Sequence, residues 1–403
     1  MAVEVRPCEP AEVLDGLAPI WHYFGRVPTE ESTRVVSPVL PPGRLHAAFD
    51  NGRVVGGAGA FTFELTVPGG RVPAAGVTVV GVLPTHRRRG VLRQMMRTQL
   101  DDVRERGEPV AYLWASEATI YGRYGYGMAS LAGEFELQRS RATFAEPFAP
   151  AGTVRLLSHD EARALLPQVY DSIAAATPGM FARTTAWWDA RVLADPEWRR
   201  GGGGELVRAL LDVDGTPAAY ALYRLHPGFE YSISTGAVAV IEALGTTPAA
   251  TREIWRYLFD IDWMDRVRAR LLPVDHPLFF LLAEPRRMRF TVADALWVRL
   301  VDVGAALSAR SYEDGEPVVL ELSDAFCPWN EGRWRVSAEG AERTEDESDL
   351  RLDVSAVASV YLGGFTFAEL ARGGRVEELS NGALGRADRL FYTHLAPWCP
   401  EIF

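Results

Sequence analysis

The chain has no lysine: its 42 cationic side chains besides histidine are all arginine. A Gly-Lys-Ser/Thr phosphate loop is therefore excluded. Cysteine is scarce, with Cys8, Cys327 and Cys399 far apart and odd in number. They form neither a disulfide framework nor a thiolate metal cluster. The seven histidines, His22, His46, His86, His159, His226, His276 and His394, never fall at metal-ligand spacing, so no metal is expected. No Ser/His/Asp arrangement emerges from the spacing. No apolar run reaches about 18 residues, and the opening Met-Ala-Val-Glu-Val-Arg-Pro has no apolar leader core. The expected location is cytoplasmic, with no membrane partner. A formal charge of −11 lacks the basic face that nucleic acid needs, so no nucleic-acid partner is expected. An acidic chain can instead steer a cationic substrate toward itself. At 403 residues, 48% of them hydrophobic, the chain is long enough for two or three domains.

What is present centres on Val79-Val80-Gly81-Val82-Leu83-Pro84-Thr85-His86-Arg87-Arg88-Arg89-Gly90-Val91-Leu92. A β-branched run ends at a proline, a basic loop follows, and apolar residues then recur at Val91, Leu92, Met95, Met96, Leu100 and Val103. That spacing is one helical face. The unit reads as strand, tight loop, helix N-terminus. Backbone amides and the positive dipole end of such a helix attract anions, and Gly90 leaves the backbone accessible. Three adjacent arginines read equally well as a solvated surface loop. The stretch resembles the Q/R-x-x-G-x-G/A loop with which GNAT acetyltransferases hold the coenzyme A pyrophosphate, here with Leu92 in the last position.

The chain reads as three domains, over 1–150, 151–293 and 294–403. In the first, Leu45–Phe49 and Val54–Ala58 flank Asp50-Asn51-Gly52-Arg53 as a hairpin. Strands follow over Ala60–Val67 and at the Val79 stretch. After the helix come a buried strand over Pro109–Trp114, a short segment capped by Ser116, and a last strand over Leu131–Leu137. In the second, Ser158-His159-Asp160-Glu161 is a capping box. A hairpin over Leu206–Leu225, a strand over Ala237–Leu244 and a helix holding Ile254, Trp255, Leu258 and Phe259 repeat the first domain's order without its arginines. This is a duplicated copy without coenzyme. The third is α+β, with strands over Val318–Ser323 and Gly332–Ala338 and helices over Ser355–Leu362, Phe367–Arg372 and Leu384–Leu395.

Pro84–Gly90, Ala115-Ser116-Glu117 and Ile120-Tyr121-Gly122-Arg123-Tyr124-Gly125-Tyr126-Gly127 together resemble the Eis (enhanced intracellular survival) family of N-acetyltransferases. So do Ala221-Leu222-Tyr223-Arg224, Leu296-Trp297-Val298-Arg299 and Val360-Tyr361-Leu362-Gly363-Gly364. The resemblance covers the whole chain. It implies an α/β and α+β protein of two tandem GNAT domains, the second without coenzyme, and a sterol-carrier-protein-like C-terminal domain. It also implies a homohexamer that acetylates amines of small molecules, notably aminoglycosides, with acetyl-CoA as cosubstrate. On this pattern Val80, Gly81 and Val82 pair with the pantetheine chain. Arg88, Arg89, Gly90, Val91, Leu92 and Arg93 hold the pyrophosphate, and Ser116 and Glu117 make a third contact. Tyr121 is the general acid, and the carboxylate of Phe403 is the general base. The family's acceptor cavities carry an acid on the first helical segment; here Tyr23 stands near that position, with Asp15 and Glu401 as other acids.

The chemistry agrees with those roles. A phenol of ordinary pKa near 10 is protonated at neutral pH and can donate, and a terminal carboxylate is ionised and can accept. The expected reaction is direct transfer in a ternary complex, because no cysteine lies near the motifs. A protein-lysine acyltransferase and a non-catalytic coenzyme or lipid binder are the rival expectations.

Overall fold

A computed structural model describes residues 3–403; Met1 and Ala2, which open the stretch read as leaderless, lie outside them. The first elements are strand β1 (Glu4–Pro7), helices α1 (Val13–Tyr23) and α2 (Glu30–Val36), and strands β2 (Leu45–Asp50), β3 (Arg53–Val67) and β4 (Gly70–Val82). Helix α3 (Val91–Glu105), strand β5 (Val110–Trp114), the short helix α4 (Ala118–Tyr121) and strand β6 (Gly127–Met128) follow. Asn51 and Gly52 turn β2 into β3 at φ of 52° and 73°. That is the tight hairpin turn these residues favour. Asp214 and Gly215 do the same later, at 51° and 80°.

Next come β7 (Leu131–Gln138), β8 (Thr153–Leu156), α5 (His159–Ala174), α6 (Thr185–Trp187), β9 (Val207–Val213) and β10 (Thr216–His226). A small hairpin, β11 (Phe229–Glu230) and β12 (Ile233–Ser234), leads to β13 (Ala237–Gly245). Then follow α7 (Pro248–Phe259), β14 (Arg266–Leu272), α8 (Leu278–Leu281), β15 (Thr291–Asp294) and β16 (Leu296–Leu300). The last part holds α9 (Val303–Ala309), β17 (Val318–Ser323), β18 (Gly332–Ser337), β19 (Gly340–Arg343), β20 (Leu350–Asp353), α10 (Val354–Val360), α11 (Phe367–Arg372), β21 (Val376–Glu378) and α12 (Ala383–Leu390). The helix expected to reach Leu395 stops at Leu390.

Residues up to Ser130, with Ala295–Pro397 and Ile402–Phe403, form one compact unit; Leu131–Asp294 with Trp398–Glu401 form another. The first unit holds a seven-stranded sheet of order β1-β2-β3-β4-β5-β16-β6 and a five-stranded sheet of order β19-β18-β17-β20-β21. The second holds a seven-stranded sheet of order β15-β7-β14-β13-β10-β9-β8.

One placement differs from the sequence reading. Strand β7, expected to complete the first domain, pairs with β14 and β15 in the second sheet. Its place beside β5 is taken by β16, from Leu296 opposite Trp114 to Leu300 opposite Val110. Alternating hydrophobicity sets which face of a strand is buried and says nothing about its partner.

The predicted stripe on α3 is buried at Val91, Met95, Met96, Leu100 and Val103. Met96, Leu100 and Val103 pack with Val77, Ala111 and Leu113 of the sheet. In the second unit Ile254, Trp255, Leu258 and Phe259 of α7 pack with Val238 and Val240. Among the described residues no helix is long and apolar enough to cross a membrane.

Candidate active site

Strands β4 and β5 part company early. Ala74, Ala75 and Gly76 pair in parallel with Val110, Ala111 and Tyr112, and the ladder ends there. The register of β4 against β3 slips between Gly57 and Gly59, and Val79 takes φ 49°. A β-branched residue in the left-handed region marks a strained bulge. Past the bulge Gly81 pairs with Gly57, and Leu83 N–H donates to the Val55 carbonyl at 2.8 Å. Alternation along the strand then turns the amide groups of Val80 and Val82 away from β3, into the gap beside β5. The Tyr23 hydroxyl donates to the Val82 carbonyl at 2.6 Å. Gly81 lets α1 approach: a Cβ there would sit 2.8 Å from the Ile20 backbone.

Helix α3 starts at the mouth of this gap. Its N-cap, Gly90, has φ 82° and gives no side-chain cap, so the first-turn amides are left for another acceptor. Arg88 is also left-handed, at φ 62°. The matching helix α7 is different: Thr247 caps it by accepting from Ala250 N–H at 3.1 Å. No ion pair among the described residues uses Arg87, Arg88, Arg89, Arg93 or Arg123, although His86 of the same loop and Arg97 on α3 are paired. The loop therefore carries uncompensated positive charge at an uncapped helix end. Such an arrangement attracts anions.

The gap is a cavity of about 520 Å³. The structure brings Val80, Gly81, Val82, Arg88, Gly90, Val91, Leu92, Arg93, Ser116, Glu117 and Tyr121 into its wall. Arg89 and Phe403 do not line it. Ser116, expected to cap α4, makes no cap; Glu117 is the N-cap residue, without a side-chain bond. Ile20, Phe24, Thr119 and Arg123 also line the cavity and were not read as site residues. Phe24 is a large aromatic side chain left 68% exposed at the end of α1, which only the structure shows. Among the described residues no group of His, Cys, Asp or Glu is placed to hold a metal ion.

Tyr121 is buried in this wall, and burial, with Tyr124 and Glu117 beside it, pushes its phenol up to about 12. Its ring meets Tyr126 edge-on at 5.7 Å, and Tyr126 N–H donates to the Tyr121 carbonyl at 3.3 Å. The Phe403 ring is buried edge-on to Phe63 at 5.2 Å and Tyr112 at 4.9 Å. A Cβ on Gly76 would come within 3.3 Å of it. Since Gly76 and Tyr112 are the last β4–β5 pair, Phe403 lies where the two strands part.

The chain resembles known proteins along its length. Residues 4–129 and 179–300 each match a model described as an acetyltransferase (GNAT) domain, and residues 303–400 match a sterol carrier protein domain. A Streptomyces avermitilis protein described as an uncharacterized N-acetyltransferase is 44% identical over 371 residues, 89% of each chain. The N-acetyltransferase Eis of Mycobacterium tuberculosis (strain H37Ra) is 37% identical over 352 residues, 84% of this chain and 83% of its own. Among solved structures, Eis1 from Mycobacterium abscessus matches with a TM-score of 0.86 at 36% identity, over 99% of this chain and 100% of that one. Two GNAT-domain matches, a sterol-carrier match and relatives 36–37% identical over 84% or more of the chain place it in the Eis family of GNAT N-acetyltransferases.

Proposed function

We propose that the chain transfers acetyl from acetyl-CoA directly to the amine of a small acceptor, with both held in the cavity of the first domain. The observation that carries this is the pairing, in one cavity, of an uncapped helix end among unpaired arginines with a buried phenol. GNAT acetyltransferases use acetyl-CoA, and these residues fit it: pyrophosphate for the α3 amides and Arg88 and Arg93, a linear amide chain for Val80 and Val82. Acetyl-CoA supplies the activated thioester carbon.

The residues then have separate tasks. The amides near the Val79 bulge polarise the thioester carbonyl. The acceptor nitrogen forms the C–N bond as the C–S bond breaks. A neutral acceptor nitrogen loses one proton as the sulfur gains one; an acceptor that arrives as ammonium gives up one further proton to solvent before it attacks. Tyr121 stays protonated across the working pH range and donates to the departing sulfur. Phe403 is not in the cavity lining, so its α-carboxylate serves an acceptor amine that reaches past the lining to the point where β4 and β5 part, taking up its proton or orienting it as ammonium. Cys8, Cys327 and Cys399 are buried and none lines the cavity, which supports direct transfer in a ternary complex over an acyl-cysteine.

Aminoglycosides and other multi-amine molecules belong among the acceptors to test, because a charge of −11 attracts polycations. Tyr121→Phe should lower kcat by roughly 10²–10⁴-fold while leaving coenzyme affinity near wild type, read by thiol release and calorimetry. Full turnover in that variant would remove Tyr121 from the mechanism. Residues added after Phe403 should abolish turnover; an active extended chain would exclude the terminal carboxylate as base.

A further inference from the structure

Between β17 and β18 the third domain makes a turn, Asp324 to Asn330, that reaches the cavity wall. The turn holds itself rigid. Asp324 accepts from Cys327 N–H at 2.9 Å and from Asn330 Nδ2 at 2.9 Å. Asn330 Oδ1 accepts from Val303 N–H at 3.1 Å. The Trp329 indole donates to the Val301 carbonyl at 2.9 Å. Asp324 also receives the Arg299 guanidinium at 2.5 Å. Arg299 in turn lies 3.5 Å from the Gly125 carbonyl, which it bonds. Gly125 sits between Tyr124 and Tyr126 at φ 81°, and a Cβ there would collide with Arg299.

At the tip of this turn Phe326 is buried, 4% exposed. Its ring meets the Tyr124 ring edge-on at 5.0 Å. The Arg93 guanidinium lies over the same ring at 5.1 Å, and that of Arg97 at 4.1 Å. Tyr124 and Arg93 both line the cavity, and they come from different elements. One third-domain side chain therefore touches two parts of the wall.

The chemistry of that contact matters. A carboxylate beside Arg93 would fix the guanidinium and also neutralise it. An aromatic face fixes it while leaving its charge for a phosphate. Ordering a long side chain before the ligand arrives removes part of the entropy lost on binding.

We infer that the Asp324–Asn330 turn of the sterol-carrier-like domain is a positioning element for the coenzyme site, with Phe326 holding Arg93 and Tyr124 ready for the phosphate end of the ligand. This rests on the reading that coenzyme A binds in this cavity. Phe326 is a positioning residue and touches no reacting atom.

The test uses the full chain and coenzyme A itself. Wild-type affinity is measured first by calorimetry; absence of binding overturns the underlying reading and this inference with it. Phe326→Leu keeps an apolar side chain of similar bulk without the ring. It should weaken coenzyme A and raise the KM of acetyl-CoA by about five- to tenfold. The amine KM, and kcat at saturating acetyl-CoA, should not move. Phe326→Trp, which restores an aromatic face, should recover most of the affinity. Wild-type affinity in Phe326→Leu would overturn the inference. So would equal loss in the leucine and tryptophan variants, since that would mean packing alone.

Discussion

Tyr23 occupies a backbone acceptor in the cavity wall. Its hydroxyl donates to the Val82 carbonyl at 2.6 Å, and that carbonyl faces the gap where a pantetheine amide would pair. On the proposed binding mode, the coenzyme would share or displace this bond. Tyr23→Phe should therefore bind coenzyme A about two- to fivefold more tightly, within the ordinary net worth of one hydrogen bond. Calorimetry decides it, and weaker binding would show that Tyr23 helps hold the ligand. At this scale the sequence was most readable where chemistry-bearing residues cluster along the chain. Arg87 to Gly90 and Tyr121 to Gly127 are such clusters. The environment of Tyr121 was not readable. Its neighbour Tyr124 packs on Phe326, two hundred positions on, and no local pattern announces that contact.

At the scale of elements, the site is made by a strand that stops pairing. The bulge at Val79 turns Val80 and Val82 outward, and Gly81 lets α1 close over them. A Cβ at Gly81 would meet the Ile20 Cα and N at 2.8 Å, and backbone atoms cannot swing aside. Gly81→Ala should destabilise the fold by roughly 1–3 kcal/mol and raise the KM of acetyl-CoA as the gap deforms. Denaturant unfolding and initial rates check both effects; a variant unchanged in each would show that α1 moves freely. The hairpin turns were legible because Asn-Gly and Asp-Gly have few other uses. The two copies were legible in their repeated order of hairpin, strand, loop and helix. The contrast between Gly90 and Thr247 at the two helix starts was visible as residues, but only geometry shows one end open and the other capped. The bulge left no signal, since Val79 is an ordinary strand residue held in an unusual conformation by its surroundings.

For the whole molecule, the second copy retains the architecture and fills its interior differently. Arg183 bridges Glu242 at 2.6 Å and Glu401 at 2.9 Å, under the ring of Tyr170 at 3.9 Å. Glu242 also accepts from the Tyr220 hydroxyl. In the same unit His276 accepts from Leu278 N–H at 3.2 Å and meets Trp255 edge-on at 5.2 Å. Burial lowers its pKa to about 3. It therefore stays neutral in the fold while the unfolded chain protonates near 6.5. Stability from this residue is complete above pH 6.5 and is lost as pH falls toward 3. At pH 5.5 the loss is roughly 1.4 kcal/mol. Hydrogen exchange across residues 131–294 at pH 7.5 and 5.5 should show it, and His276→Asn should lack that increment. Equal acid sensitivity in both proteins would place the effect elsewhere. The three-domain composition was legible from periodicity and family resemblance. The partners of β7 and β16 were not, because strands pair through backbone groups that every sequence shares.

That pairing has a consequence for synthesis. β5 leads into Ser116 and Glu117 of the cavity wall, and its outer edge is covered along its length by β16, Leu296 to Leu300. A ribosome releases β5 long before β16 exists. Until residue 300 has emerged, the nascent first sheet carries Val110-Ala111-Tyr112-Leu113-Trp114 as a bare apolar edge, the kind that joins other chains. The first sheet cannot be completed from its own stretch of message. A fragment ending at Ser130 would hold the arginine loop and Tyr121 and still lack the strand that covers β5.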